Sequence, residues 1–155
     1  MKPQTDDTLK TRSAVVAASC AAINLRRASR ALSQMYSTVL APCGLQVSQF
    51  ALLVACAVSG DTPVTALAET LAMDRTTLAR NLKPLEREGL VRVVVGDDRG
   101  DRRVRVVQLT ERGREALSRA IPLWEEAQAQ VVESFGLEQL SRVLQDVARL
   151  ETLAR

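Results

Sequence analysis

The chain has 155 residues, enough for one domain with a real core or two small lobes. Apolar residues make up 46% of it but aromatics only 3%, so a core has to be built from Leu, Val and Ala, which favours helices. A net charge of +3 is too small to argue for nucleic acid by itself, and the absence of histidine excludes His-based metal sites, a Ser/His/Asp triad and a Cys/His pair.

Met1 to about Lys10 is polar and expected to be a disordered tail. From Thr11 to Leu40 the spacing predicts one long helix. Ala18, Leu25, Leu32 and Val39 recur every seven residues, joined by Ala22, Ala28 and Met35, and Pro42 and Gly44 end the pattern. The stretch Val47–Val58 reads as a second helix, apolar enough (Phe50, Leu52, Leu53, Val54, Cys56) to be buried on most sides. Ser59-Gly60-Asp61 breaks it.

The stretch Pro63–Val91 then reads as a short helix, a tight connection and a longer helix. Val64, Leu67, Ala68 and Leu71 line one side of the first, with Thr65 available as its cap. The break falls around Ala72–Met73, and Asp74 caps the next helix with charge of the sign its N-terminus favours. Leu78, Leu82 and Leu85 lie along one line of that helix, and Gly89 stops it. About 100° per residue places Thr76, Arg80, Lys83 and Arg87 on the opposite side, flanked by Thr77 and Asn81.

That face lacks acids. A solvated surface is its plain explanation, but cations mixed with short hydroxyl and amide side chains also suit base edges and phosphates. A helix-turn-helix places such a second helix in the major groove, first turns nearest the bases. Thr76, Thr77, Arg80 and Asn81 are then the candidate readers, and Lys83 and Arg87 are placed for phosphate. Between Arg75 and Arg105 nine Arg or Lys face five Asp or Glu, so the positive charge is concentrated here. Pro84 is expected to kink the helix without ending it, because Leu85 keeps the period.

Leu90–Val95 and Val104–Leu109 are β-branched runs joined by a Gly/Asp-rich loop, which predicts a hairpin. So charged a loop can be merely soluble. After a helix-turn-helix it reads better as a wing whose Arg99, Arg102 and Arg103 reach phosphates or a narrow minor groove. Asp101 reads as an internal brace for an arginine, since phosphate repels a bare carboxylate. Thr110 caps a further helix carrying Leu117, Ile121 and Trp124, with a kink at Pro122, that stops at Gly136; a last helix from about Leu137 to Leu153 carries Leu140, Leu144, Val147 and Ala154, with Leu150 beside them. Apolar stripes at both ends of the chain are most economically buried against a second copy. The expected division is a 1–10 tail, 11–60 N-terminal helices for dimerisation and support, a 61–109 DNA-binding lobe and 110–155 C-terminal dimerisation helices.

Three cysteines, Cys20, Cys43 and Cys56, match neither zinc-ligand nor C-x-x-C spacing. No signal peptide and no apolar run of about 20 residues stand out, so a reduced, cytoplasmic protein with no membrane partner is expected. No cofactor or metal is called for. An enzyme is not expected: there is no nucleophile–base pair or phosphate loop, and Asp97–Asp98 lies in a loop without a base.

The sequence resembles the MarR family of winged-helix transcriptional regulators from about Ser19 to Leu153. The wing D101-R-R-V-R-V-V-Q-L-T110 followed by E-R-G113-R matches the family's Asp-x-Arg, six residues, then Leu-Thr and a nearby Gly. The helix pair from Thr65 to Val91 is typical, and A28-S-R-A-L-S-Q-M-Y36 leading into L40-A-P-C-G-L-Q-V-S-Q-F50 resembles the family's first helix and turn. The resemblance implies a mainly α fold with a small β-hairpin wing, and a homodimer joined by its N- and C-terminal helices that sets two winged lobes on a DNA pseudo-palindrome. It implies Thr76, Thr77, Arg80 and Asn81 on the recognition helix. Arg103 is then the Asp-x-Arg arginine held by Asp101, and Arg99 enters the minor groove. It further implies a repressor released by a small anionic or phenolic effector bound between the dimer helices and the DNA lobe.

For such an effector Arg26, Arg27, Arg30 and Tyr36 offer cations or a hydroxyl, though surface or dimer contacts would explain them equally well. The alternative is a thiol-based oxidant sensor using Cys20. In the peroxide-sensing branch the cysteine lies about two residues nearer the Ala-Ser-Arg-Ala segment, where this chain has Ala22. Two residues turn roughly 200° around a helix, so Cys20 faces elsewhere. A winged-helix protein-interaction adaptor without DNA binding is the other rival.

Overall fold

The computed structural model describes residues 3–96 and 104–154. The chain divides into two compact units, Met1–Met35 and Tyr36–Arg155.

The first unit holds helix α1 (Pro3–Ser19) and most of α2 (Ala21–Leu40). The first residues, expected as a disordered tail, are helical from Pro3. A proline suits a helix start, and Asp6 in the first turn complements the helix dipole. The single helix expected over Thr11–Leu40 is interrupted at Cys20. Asn24 accounts for the break: its side-chain amide lies 2.9 Å from the Cys20 carbonyl and 3.2 and 3.3 Å from those of Ala17 and Ala18. The backbone bonds from Cys20 N–H to Val16 O at 2.9 Å and from Asn24 N–H to Cys20 O at 3.1 Å persist on either side. Leu9, Val15, Val16, Ile23, Leu25 and Leu32 are exposed in the single chain.

In the second unit a 3-10 turn (Ala41–Cys43) ending on Gly44 leads into α3 (Val47–Ser59). There follow β1 (Thr62–Pro63), α4 (Val64–Thr70), α5 (Arg75–Arg87), β2 (Val91–Val95) and β3 (Arg105–Leu109). α6 (Glu111–Phe135) and α7 (Leu137–Glu151) complete it. The strands form an antiparallel sheet of order β1-β3-β2, with Val91 opposite Leu109, Val95 opposite Arg105 and Thr62 opposite Val107. This is the mainly α fold with a hairpin wing that the sequence predicts, with one short strand added. That strand explains why Thr65 does not cap α4. The backbone leaves β1 through Pro63 directly into the helix, which starts at Val64 without a side-chain cap.

The other caps form as expected. Asp74 accepts from the Thr77 N–H at 2.9 Å, and Thr110 accepts from the Gly113 N–H at 3.0 Å. Past the end of α5, Leu90 N–H bonds Leu85 O at 2.8 Å and Gly89 N–H bonds Glu86 O at 3.0 Å, with Gly89 at φ +70°. These are the two bonds of a Schellman stop, which needs the left-handed region where a Cβ is penalised. Both α5 and α6 run through their prolines, Pro84 and Pro122.

Leu40, Leu52, Leu53, Leu67, Leu78, Leu85, Val91 and Val107 are fully buried and share one core with Ala116, Leu117 and Ala120 of α6. That core is continuous across positions 60/61 and 109/110: α3 and the start of α6 pack with α5 and the sheet. Phe135, Leu137, Leu144, Leu150 and Leu153 remain exposed. No single helix among the described residues is long and apolar enough to cross a membrane.

Candidate nucleic-acid interface

Helix α5 is fixed from behind. Leu78, Leu82 and Leu85 are 0%, 5% and 0% exposed, so their line faces the core and sets the rotation of the whole helix. The opposite line, Thr76, Arg80, Lys83 and Arg87, is exposed. None of the three cations is paired with an acid among the described residues.

Thr77 and Asn81 are placed differently. Both are half-buried. The Thr77 hydroxyl donates to Asp74 Oδ2 at 2.7 Å, reinforcing the cap. The Asn81 amide donates to the Thr77 carbonyl at 3.0 Å, and its Oδ1 accepts from the Ser48 hydroxyl of α3 at 3.1 Å. These two side chains hold α5 in position against its own first turn and against α3. Sequence periodicity put them on the flank of the polar face and had no means of seeing Ser48, 33 residues earlier.

Arg75, which periodicity does not single out, is exposed at the first position of α5. A cation there opposes the helix dipole, so helix stability does not explain it. That mismatch is the signal that identifies Arg75 as a candidate contact.

The wing is braced at its base. The Arg92 guanidinium donates to Gln108 Oε1 from Nη2 at 2.7 Å and Nε at 3.1 Å, and the Gln108 amide donates to Asp61 Oδ2. Together they link β2, β3 and the segment entering β1. The expected wing contacts Arg99, Arg102 and Arg103, and the expected brace Asp101, lie outside the described residues.

The Thr77 hydroxyl and backbone N–H hold the Asp74 carboxyl below its ordinary value. Because the folded state favours the charged form, this contribution to stability is present above the unfolded pKa of about 3.9 and is lost as pH falls through the folded value. Asp74→Ala is expected to unfold at lower temperature than the wild type at pH 7, with the gap closing in acid. Asp74→Asn should keep the cap and lose the pH dependence, which thermal melts from pH 7 to pH 2 would read.

A model of the MarR family matches residues 44–104. The transcriptional regulator MosR of M. tuberculosis, solved in complex with DNA, is 41% identical over 87% of this chain and 96% of that one, with a TM-score of 0.79. The chain belongs to the MarR family. A second structure, the transcriptional repressor CouR bound to a 23-mer DNA duplex, is 26% identical over 90% of this MarR-family chain and 96% of CouR, with a TM-score of 0.76. CouR bound to p-coumaroyl-CoA matches at 25% identity over 90% and 95%, with a TM-score of 0.73. The curated proteins hold no significant match.

The second unit of this MarR-family chain also carries a cleft of about 500 Å³ beside α3. Tyr36, Phe50, Val54, Leu71 and Trp124 are among the residues lining it. Phe50 and Trp124 stack at 6.4 Å between ring centroids and 21° between planes. The Tyr36 hydroxyl donates to Gln128 Oε1 at 2.5 Å, and burial raises the phenol's pKa. Of the expected effector residues, Tyr36 lines this cleft. Arg26, Arg27 and Arg30 are exposed on α2 in the first unit.

Cys56 is buried in the core, and burial pushes its thiol up to about 11, which keeps it protonated at neutral pH. Cys43 is half-buried in the turn before α3, its thiol 2.9 Å from the Leu40 carbonyl. Cys20 is half-buried at the break between α1 and α2.

Proposed function

We propose that this MarR-family chain is a sequence-specific double-stranded DNA-binding regulator that acts as a homodimer and represses transcription until a small molecule occupies the cleft beside α3. The observation that carries the reading is α5 itself: a helix locked by three buried leucines that turns Thr76, Arg80, Lys83 and Arg87 outward from a capped N-terminus. Thr76 and Arg80, on the first turns, are the base readers. Arg75, Lys83 and Arg87 contact phosphate, and Arg99, Arg102 and Arg103 of the wing extend the footprint. Thr77 and Asn81 serve recognition by fixing the helix's orientation.

The exposed apolar stripes on α1, α2 and α7 support the homodimer. Unpaired, so many large apolar side chains would be a liability in water. Residues 61–109 are the DNA-reading lobe, carried on α3 and α6, while the chain-terminal helices join two copies so that their α5 helices meet half-sites roughly 34 Å apart.

Binding duplexes selected from a random pool tests this. The recovered motif is expected to be a pseudo-palindrome. The three phosphate-directed cations on each α5 alone should make log K fall with log salt at a slope of about −5, and the wing arginines should steepen it. A flat salt response, or a lone protomer in solution scattering, sinks the proposal and favours a protein-interaction adaptor.

A further inference from the structure

We infer that the cleft beside α3 takes an uncharged, ring-containing apolar molecule with a single hydrogen-bonding group, and rejects a carboxylate. The inference deepens the effector reading above and rests on it. The family resemblance implies an anionic or phenolic effector, and the lining argues against the anion. Among the described lining residues none is charged. The walls are aliphatic and aromatic, and the stacked Phe50 and Trp124 rings give one of them a flat aromatic surface.

Polar groups there are few. The Tyr36 proton is already given to Gln128, and Ser59 and Thr70 are exposed at the rim. A carboxylate pressed against the aromatic wall, away from the exposed mouth at Val58, Ser59 and Thr70, would exchange that part of its hydration for at most two or three neutral hydrogen bonds. Desolvating an ion without a counter-charge costs more than neutral hydroxyls return. An alcohol, ether or amide of the same shape needs only one partner. A volume of about 500 Å³ lies within the usual range for small-molecule pockets, and a mostly apolar lining with a few polar groups is their usual composition.

Trp124 is the only tryptophan in the chain and lines the cleft, so its fluorescence reports occupancy without a label. The full-length protein is titrated with 4-isopropylbenzyl alcohol and, separately, 4-isopropylbenzoate at pH 7. These probes share a shape and differ in charge. The alcohol should give a saturable change at a concentration at least tenfold below that needed by the carboxylate. Ala51→Phe, which fills the cleft, should lose the alcohol response. Ser59→Arg, at the exposed rim where folding is little affected, should bring carboxylate binding level with or above the alcohol. A wild type that prefers the carboxylate overturns the assignment while leaving an effector-responsive regulator standing. No saturable response to either probe overturns the cleft as a ligand site. Saturable alcohol binding with unchanged duplex affinity supports the ligand class and overturns the effector reading instead.

Discussion

Replacing Arg80 by alanine should cost the protein its preferred DNA sequence and nothing else. Arg80 is exposed, pairs with no acid among the described residues and stands one turn before Pro84 on a helix held by leucines on its other side. Arg and Ala have nearly equal helix propensity, so the melting temperature should not move. A guanidinium reading guanine with two hydrogen bonds discriminates by about 1–3 kcal/mol, and a two-fold dimer places two of them on one operator. At 1.4 kcal/mol per tenfold, the lower limit already predicts about a thirtyfold loss of affinity for the selected duplex. Affinity for unrelated duplex should fall far less. Lys83→Ala is the contrast: it should weaken all duplexes alike and flatten the salt slope by about one for each phosphate left without its lysine. Titrations of both variants against selected and scrambled duplexes decide the matter. An Arg80→Ala protein that keeps its preference, or weakens on all duplexes equally, removes Arg80 from the readers.

The second large effect concerns stability. A Cβ on Gly113 would sit 2.1 Å from the Leu90 carbonyl oxygen and 2.6 Å from Leu109 Cδ1. The leucine side chain can rotate away. The carbonyl is held, because it accepts the Thr110 N–H at 3.1 Å and lies 3.0 Å from the Thr110 hydroxyl. In an unobstructed helix Gly→Ala gains about 1 kcal/mol, whereas overpacking against fixed atoms costs about 1–3 kcal/mol or more. Here the obstruction is backbone, so the clash should win and Gly113→Ala should destabilise by about 2 kcal/mol net. For a chain of this size that lowers the melting point by roughly 4–8 °C. Calorimetry would show it; an unchanged or raised melting point would mean that the start of α6 can lift off Leu90. The stakes extend beyond α6, because Gly89, Leu90, Leu109 and Thr110 join the end of α5 to both wing strands.

Short-range chemistry made much of this legible in the sequence. The Leu78, Leu82, Leu85 period gives the inward side of α5, and Asp74, Gly89 and Thr110 mark element ends by hydrogen bonds made within a few residues. What the sequence hid depends on partners far along the chain or on competition within a helix. The Ser48–Asn81 hydrogen bond is one such contact. The heptad rhythm from Ala18 to Val39 conceals a break because it records apolar faces, while Asn24 acts on the backbone. Thr65 loses its capping role to a two-residue strand whose partner lies more than forty positions away. The wing's Arg92–Gln108–Asp61 brace joins residues that no local pattern relates. The uncharged lining of the cleft is a property of four helices meeting, which no local pattern in the sequence shows.

Ser48, which holds Asn81, and Phe50, which walls the cleft, are two residues apart on α3. A rigid helix cannot shift one end of so short a span and spare the other. On the function proposed above, a molecule wedged against the aromatic wall would be felt at α5 both through that hydrogen bond and through the core that α3 and α5 share. Sensor and stylus would then be mounted on the same rod.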